Sequence, residues 1–171
     1  MQRTFSANFD VERIVQEDSD GCAIASVAMI VNYLKGTDLT YDRVKKDNGG
    51  SVTVNFEKLL GKKYKLNYTR YNGSFSSLRR TLFEILVDEE IPTIVQVTNQ
   101  SGGSHFVVVN HLDTITLPVY VDDDGNEVPD VGSITSSDFG IVDPGRSGGP
   151  YTLADVISRY DGDLTSIREA Y

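Results

Sequence analysis

The sequence predicts an α+β fold in which N-terminal helices, including a buried central helix, pack on an antiparallel sheet. The segment Cys22 to Lys35 is apolar on nearly every face, which is typical of a helix surrounded by other structure. The predicted helices come mostly before the strands instead of alternating with them, unlike the order in doubly wound parallel folds. The segment His105 to Leu112 is so apolar that both faces of a strand there should be covered.

Apolar spacing and capping residues place the helices. The central helix should end at Gly36, because glycine readily takes the left-handed conformation that ends helices. Thr40 is expected to cap the next helix, and Ser74 or Ser76 a later one. The predicted helices span residues 22–35, 38–46, 55–60, 74–90 and 152–160.

Alternating or continuously apolar segments place the strands, after an extended polar lead-in over residues 1–21. The predicted strands span residues 64–70, 91–97, 105–112, 139–144 and 164–169. Residues 113–137 are predicted to form a polar loop or hairpin. Its acidic part, residues 121–130, should form an exposed hairpin or loop near the cleft of the molecule, without a bound metal. Asp124-Gly125 favours a hairpin turn, and the run lacks the full calcium-loop pattern.

Length and charge restrict the classes of partner. The 171 residues suit one domain, residues 1–171, and 16 basic against 25 acidic residues give a net charge of −9. Nucleic acid and anionic membranes are therefore disfavoured as partners. The apolar stretch from Cys22 to Val31 is too short to insert into a membrane, and no signal peptide is evident. We expect a cytoplasmic protein or one packaged in a particle, and leave a larger assembly open.

Cys22 is the only cysteine, so the chain has neither an internal disulfide nor a cysteine-rich zinc site. It occupies the first turn of the predicted central helix, where free backbone N–H groups and the helix dipole lower the pKa of a thiol. The position therefore suits a nucleophile, whereas the alternative is a small buried hydrophobic residue.

Three further residues could assist such a thiol. His105 begins an apolar strand after a flexible Gly-Gly-Ser turn, and it is favoured over His111, which strand parity places on the same face but far along it. Asp143 follows Ile141-Val142 at a strand end, where its carboxylate could orient a histidine. Gln16, six residues before Cys22, could donate to an oxyanion beside the sulfur. Taken singly, each could instead be a structural residue.

Three ordered segments together resemble the motifs of C39-type papain-like cysteine peptidases. QEDSDGCAIASVAMIVNYLKG is similar to the first motif, GGSHFVVVNHLD to the second and FGIVDPGRSGGPYTLADVISRY to the third. The resemblance spans roughly residues 12–161. Two departures are Ala23, where the family usually has glycine, and the long insertion over residues 113–137.

The resemblance implies a papain-like fold and a stand-alone cysteine peptidase that hydrolyses a peptide or protein substrate. It implies Cys22 as nucleophile, His105 as general base and acid, Asp143 as the residue that orients His105, and Gln16 as an oxyanion-hole donor. No metal or organic cofactor is expected. Two alternatives stay open: a murein endopeptidase or amidase of this fold, carried on a phage or secretion particle, and a non-catalytic binding module that retains the fold.

Overall fold

The central helix organises the computed structural model, which describes residues 1–145 and 151–171. Helix α1 spans Cys22–Lys35, as predicted, and every residue from Cys22 to Val31 is buried. Gly36 ends it in the left-handed conformation with φ of 65°. The other helices are α2 (Tyr41–Asp47), α3 (Phe75–Val87) and α4 (Leu153–Tyr160), with a π-helical segment at Glu57–Lys63 and a 3-10 turn at Ser136–Asp138.

An antiparallel sheet lies between these helices. Its strands are β1 (Gln2–Asn8), β2 (Tyr68–Asn72), β3 (Thr93–Asn99), β4 (Ser104–Val121), β5 (Glu127–Pro129), β6 (Phe139–Val142), β7 (Tyr151–Thr152) and β8 (Gly162–Ala170). The strand order is β2-β8-β3-β4-β6-β7, and β1 and β5 also pair with β4. The predicted α+β arrangement is therefore confirmed.

The two faces of the sheet bury two different cores. On one face, α1 packs against side chains that include Ile94 and Val108. On the other face, α3 and α4 cover Val95, Val107 and their neighbours. Alternate residues of β3 and β4 thus point into opposite cores, which explains the continuous apolar run over residues 106–109 of β4.

The capping predictions are confirmed at both tested helices. The Thr40 side chain accepts a hydrogen bond from the backbone N–H of Arg43 at the start of α2. Ser74 and Ser77 form a reciprocal capping box at the start of α3. Each cap satisfies an N–H group that the first helical turn leaves unpaired.

Several predicted boundaries are wrong. Residues 64–67 are not in a strand, because the chain leaves the π-helical segment there and Lys65 has a positive φ of 61°. The polar lead-in contains strand β1, which pairs with the far half of β4. Residues 113–121 extend β4 instead of forming a loop.

The acidic segment forms an exposed hairpin, as predicted, between β4 and β5. The Asp122 carboxylate accepts the backbone N–H groups of Asp124 and Asn126, and Gly125 takes a positive φ of 83°. Its predicted position near the cleft is wrong, since the hairpin lies at the end of β4 opposite His105.

A β-bulge changes the predicted relation between the two histidines. The register of β4 shifts between Val109 and His111, and Leu112 joins the same core as Val107 and Val109. The extra residue reverses the alternation, so His105 and His111 lie on opposite faces of the strand. The expectation that they share a face is wrong for this reason.

Candidate active site

Cys22 is the first residue of α1. Gly21 precedes it and provides no side-chain cap, and the first turn holds no acidic residue. The positive end of the helix dipole therefore acts on the thiol without a competing carboxylate in that turn. Cys22 is a free thiol and only 7% exposed.

His105 lies between Cys22 and Asp143. Its Nε2 is 2.8 Å from Asp143 Oδ1, and the Cys22 side chain is near enough to contribute to the raised pKa of the ring. Because Nε2 faces the carboxylate, Nδ1 is the ring nitrogen left to exchange a proton with the thiol. Burial lowers the pKa of His105, but the hydrogen bonds and charges of Asp143 and Cys22 outweigh it and raise the pKa to about 9.

Asp143 follows β6 and is buried, with 2% exposure. Its Oδ1 also accepts the backbone N–H of Gly145 at 2.8 Å, and its backbone oxygen accepts Arg13 Nε at 2.8 Å. One hydrogen bond within the Asp-Pro-Gly turn and one from the distant Arg13 thus hold the turn. The carboxylate is fixed in place before any substrate arrives.

Gln16 is also at the site, but its amide nitrogen is engaged elsewhere. Nε2 donates to the backbone oxygens of Asp18 and Ser19, both at 3.0 Å. Its Oε1 is buried without a hydrogen-bond partner and is directed towards Gly145. The predicted oxyanion donor therefore lies beside the predicted nucleophile with its two N–H groups bonded to the loop that leads into α1.

These residues line a cleft of about 680 Å³. Its apolar lining comes from the segment before the π-helix and from β4, and its charged lining includes arginines of β2, α4 and β8. The apolar side is formed by Val52, Val54, Phe56 and Phe106, and the arginines are Arg70, Arg159 and Arg168. A cleft of this size accommodates several residues of an extended peptide.

Two residues of α4 contribute to the site and were not predicted. The Tyr160 ring stacks on His105 with centroids 5.0 Å apart and an interplanar angle of 14°. Arg159 Nη1 lies 3.7 Å from Asp143 Oδ2. The sequence signal was only that α4 follows Asp143 closely, because nothing in a lone Arg-Tyr pair specifies contact with a histidine.

His111 does not join this group. It is partly exposed, and its Nε2 is 2.8 Å from Asp113 Oδ1. It lines a different pocket with Asn8 and Arg13. The structure thus brings together Gln16, Cys22, His105 and Asp143 and places His111 elsewhere.

Residues 1–145 and 151–171 contain no group of three or more His, Cys, Asp or Glu side chains arranged to hold a metal ion. Among the helices described, none combines the length and apolar character needed to cross a bilayer. Residues 146–150 of the third sequence motif lie outside the described residues.

Comparison with known proteins places this geometry in context. The model of the peptidase C39-like family matches residues 9–135. Among solved structures, the chain is similar to a double-glycine-motif protease from an AMS/PCAT transporter, solved in complex with the leader peptide. The two share 16% identity over 99% of this chain and 97% of that chain, with a TM-score of 0.57. No curated protein matches the sequence. The structural match confirms the predicted fold.

Proposed function

Since this chain belongs to the peptidase C39-like family, we propose that it is a cysteine-dependent peptide hydrolase with Cys22 as nucleophile. His105 acts as general base and acid, and Asp143 positions His105. The observation that carries the proposal is the buried chain of contacts from Asp143 through His105 to Cys22 at the N-terminus of a helix. Nucleophile, base and orienting carboxylate are the parts that such a reaction requires.

The electrostatics support a protonated His105 in the free enzyme. With its pKa raised to about 9, His105 holds a proton at neutral pH, and the Cys22 contact is one cause of that rise. A thiolate beside an imidazolium is a far better nucleophile than a thiol. The helix N-terminus stabilises the same negative charge.

Hydrolysis then takes two steps. The Cys22 sulfur attacks the peptide carbonyl, and the His105 Nδ1–H proton passes to the leaving amine as the C–N bond breaks. A water molecule next attacks the thioester, giving its proton to His105, and the acid product leaves as the sulfur regains its electron pair. Backbone N–H groups at the start of α1 are positioned to stabilise the oxyanion, and Gln16 joins them if one of its loop hydrogen bonds opens.

The substrate is proposed to be an extended peptide or protein segment. The similar transporter protease was solved with its leader peptide, which favours a peptide ligand for this cleft as well. Val52, Val54 and Phe106 provide apolar contacts along the cleft, which suits aliphatic or aromatic substrate side chains.

The test combines thiol reactivity with turnover. Cys22 of the wild-type protein should react with iodoacetamide at pH 6 at least about tenfold faster than glutathione, since only a thiolate reacts. The protein should cleave members of a proteome-derived peptide library, read by mass spectrometry. Cys22→Ser and His105→Ala should abolish cleavage, while His111→Ala, a matched histidine control, should keep most of it.

Two results would overturn the proposal. One is a Cys22 that reacts no faster than glutathione together with an uncleaved library. The other is loss of cleavage in His111→Ala but not in His105→Ala. Purified peptidoglycan, assayed in parallel, distinguishes a murein peptidase from a protein peptidase by which substrate is turned over.

A further inference from the structure

Arg168 carries a buried positive charge that no carboxylate balances. It lies on β8, is 8% exposed and lines the cleft. Its guanidinium donates to Ser166 Oγ at 2.9 Å, Gln96 Oε1 at 3.0 Å and the Tyr68 hydroxyl at 3.3 Å. These partners are neutral, and within residues 1–145 and 151–171 Arg168 makes no ion pair. Burying a charge without a counter-ion costs free energy, and an anionic ligand at this site would offset that cost.

The guanidinium also has unused hydrogen-bonding capacity. Arginine has five N–H donors, and three of them are used by the neutral partners. One N–H remains on Nη1 and one on Nη2. Two neighbouring N–H groups match the two oxygens of a carboxylate.

A second arginine lies beside it. Arg70 on β2 is directly opposite Arg168 in the antiparallel pairing of β2 and β8, so the two side chains share one face of the sheet. Arg70 is exposed and lines the same cleft. Like charges in opposed positions destabilise a sheet unless an anion lies between them.

Aromatic rings hold Arg168 in place. Its guanidinium carbon lies 4.9 Å from the centre of the Phe56 ring and 5.6 Å from that of Phe106. Phe106 adjoins His105 on β4, so this cluster and the candidate catalytic residues line one cleft. The acidic residues of that lining are Asp20 and Asp143, and neither ion-pairs with Arg70 or Arg168.

We propose that Arg168 and Arg70 form a carboxylate-binding subsite of the cleft, which recognises an acidic group of the peptide substrate. The proposal rests on the proposed peptidase function for the identity of the ligand. Arg168 supplies a rigid two-pronged contact, and Arg70, whose Nε donates to Asn72 Oδ1 at 2.7 Å, supplies an exposed second charge. In a chain of net charge −9, this cluster distinguishes the cleft from the acidic remainder and attracts an acidic peptide to it.

The carboxylate has two chemical sources, an Asp or Glu side chain or a free peptide C-terminus, and small probes separate them. The Cys22→Ala protein is titrated with N-acetylglutamate methylamide, its glutamine analogue and N-acetylalanine, while NMR follows the arginine Nε–H and Phe106 amide signals. The glutamate probe should bind at least about tenfold more tightly than the glutamine probe, because only its carboxylate pairs with the guanidinium. Equal or tighter binding of N-acetylalanine identifies the terminal carboxylate as the ligand group.

Variants locate the effect. Arg70→Gln is exposed and should fold, and it should weaken binding of the carboxylate probe several-fold. Arg168→Lys keeps the charge but loses the two-pronged geometry, and Arg168→Gln should abolish the difference between the glutamate and glutamine probes. Arg3→Gln removes a surface arginine that pairs with Glu127 and should leave binding unchanged. If Arg168→Gln does not fold, the probe titration and Arg70→Gln still decide.

The outcomes separate the subsite from the peptidase. If neither carboxylate probe shifts the Arg168 signal more than the glutamine probe does, the subsite is overturned whatever the activity. If the probes bind but Cys22 is unreactive and the library is uncleaved, the subsite stands and the peptidase proposal fails. With both intact, library cleavage sites should show Asp or Glu at one fixed position, or a C-terminus at a fixed distance, and Arg168→Gln should lose that preference.

Discussion

At the residue scale, the proposed reaction should have an alkaline limit that the pKa of His105 sets. In that reaction the protonated ring donates to the leaving amine, and Asp143 and Cys22 raise its pKa to about 9 against the effect of burial. We expect kcat/KM to stay near its maximum up to about pH 8 and to fall about tenfold per pH unit above pH 9. A pH profile measured on one cleaved library peptide gives the result.

Asp143→Asn provides the matched test of that cause. The neutral amide no longer stabilises the imidazolium, so the alkaline limit should move down by roughly one pH unit or more, and kcat should fall as well. An unchanged alkaline limit in Asp143→Asn would assign the limit to another group.

The raised pKa of His105 also has a consequence for folding. The stabilisation from charged His105 is fully present below the pKa of the unfolded chain, near 6.5, and is lost as the pH rises through about 9.

Gln16 can be tested for the role of a catalytic donor against that of a loop brace. If its amide stabilises the oxyanion, Gln16→Ala should lower kcat by about 10²-fold with little change in KM or in Tm. If its bonds to Asp18 and Ser19 only hold the loop, the same variant should lower Tm and leave kcat nearly unchanged once folded. Kinetics and thermal unfolding of Gln16→Ala and Gln16→Glu separate the two, and we expect the first result.

Single residues also show where sequence reasoning ends. The placement of three residues in their elements could be predicted from their neighbours in the sequence. A glycine precedes Cys22, a turn precedes His105, and a strand end precedes Asp143. The direction of the Gln16 amide could not be predicted, since it depends on two carbonyls whose orientation only the folded loop fixes. The face of the strand on which His111 lies was predicted wrongly, because no local sequence pattern indicates the bulge at Asn110.

At the element scale, the strongest local signals gave the most accurate boundaries. Helix α1 has a long apolar run and a glycine stop, and both ends match the prediction. Strand β1 has an exposed, polar sequence and exists because β4 provides its hydrogen-bonding edge. The far half of β4 alternates Ile115, Leu117 and Val119, but the acidic run beyond it favoured a loop. Pairing with β1 and β5 outweighs that local preference.

The junction between the lead-in loop and α1 depends on the absence of a side chain at Gly21. A Cβ there would overlap the Tyr41 hydroxyl, which donates to Asp18 Oδ2 at 2.7 Å. Gly21→Ala should therefore displace Tyr41, loosen the loop that holds Gln16 and lower the free energy of unfolding by about 1–3 kcal/mol. Denaturant unfolding and library cleavage should both report the loss.

Tyr41→Phe supplies the control for this junction. It removes the hydroxyl that the new methyl group meets first, so Gly21→Ala should cost less in the Tyr41→Phe background than in the wild type. Gly36→Ala is the comparison substitution. An alanine there is strained by the positive φ, but its Cβ would have no neighbouring atom within 4 Å. Additive effects of the Gly21 and Tyr41 substitutions would show that the two side chains do not compete for this space.

At the scale of the whole molecule, charge and fold act separately. The net charge of −9 says nothing about the fold. It also does not reveal the arginine-rich cleft, because a net charge does not report where the individual charges lie. Pairing of β2 with β8 brings Arg70 and Arg168 together across about a hundred residues of sequence. Such long-range pairing follows from packing of the complete sheet, which is why the sequence motifs did not include either arginine.

On the opposite face of the sheet, the buried Glu169 and the exposed Glu89 beside it should contribute to the pH dependence of global stability. Glu169 on β8 is 1% exposed, and burial together with the neighbouring Glu89 raises its pKa to about 8, although the Tyr71 hydroxyl donates to it. Between its ordinary pKa of 4.5 and about 8 the folded protein holds a proton that the unfolded chain releases. The contribution of Glu169 to stability should therefore fall as the pH rises through that range and level off above it.

Glu169→Gln removes the titrating group and keeps its shape. The Tm of the variant relative to wild type should be higher at pH 9 than at pH 5, by at least ~2–4 °C, which corresponds to about 1 kcal/mol for a chain of this size. Glu89→Gln should act in the same direction but less strongly, because it removes the like charge and leaves the buried carboxyl. Glu84→Gln, an exposed glutamate on α3, is the matched control and should leave the pH dependence unchanged. A Tm difference between Glu169→Gln and wild type that stays constant across this pH range would contradict the prediction. It would show that Glu169 is not protonated in the folded state and that its charge is balanced within the fold.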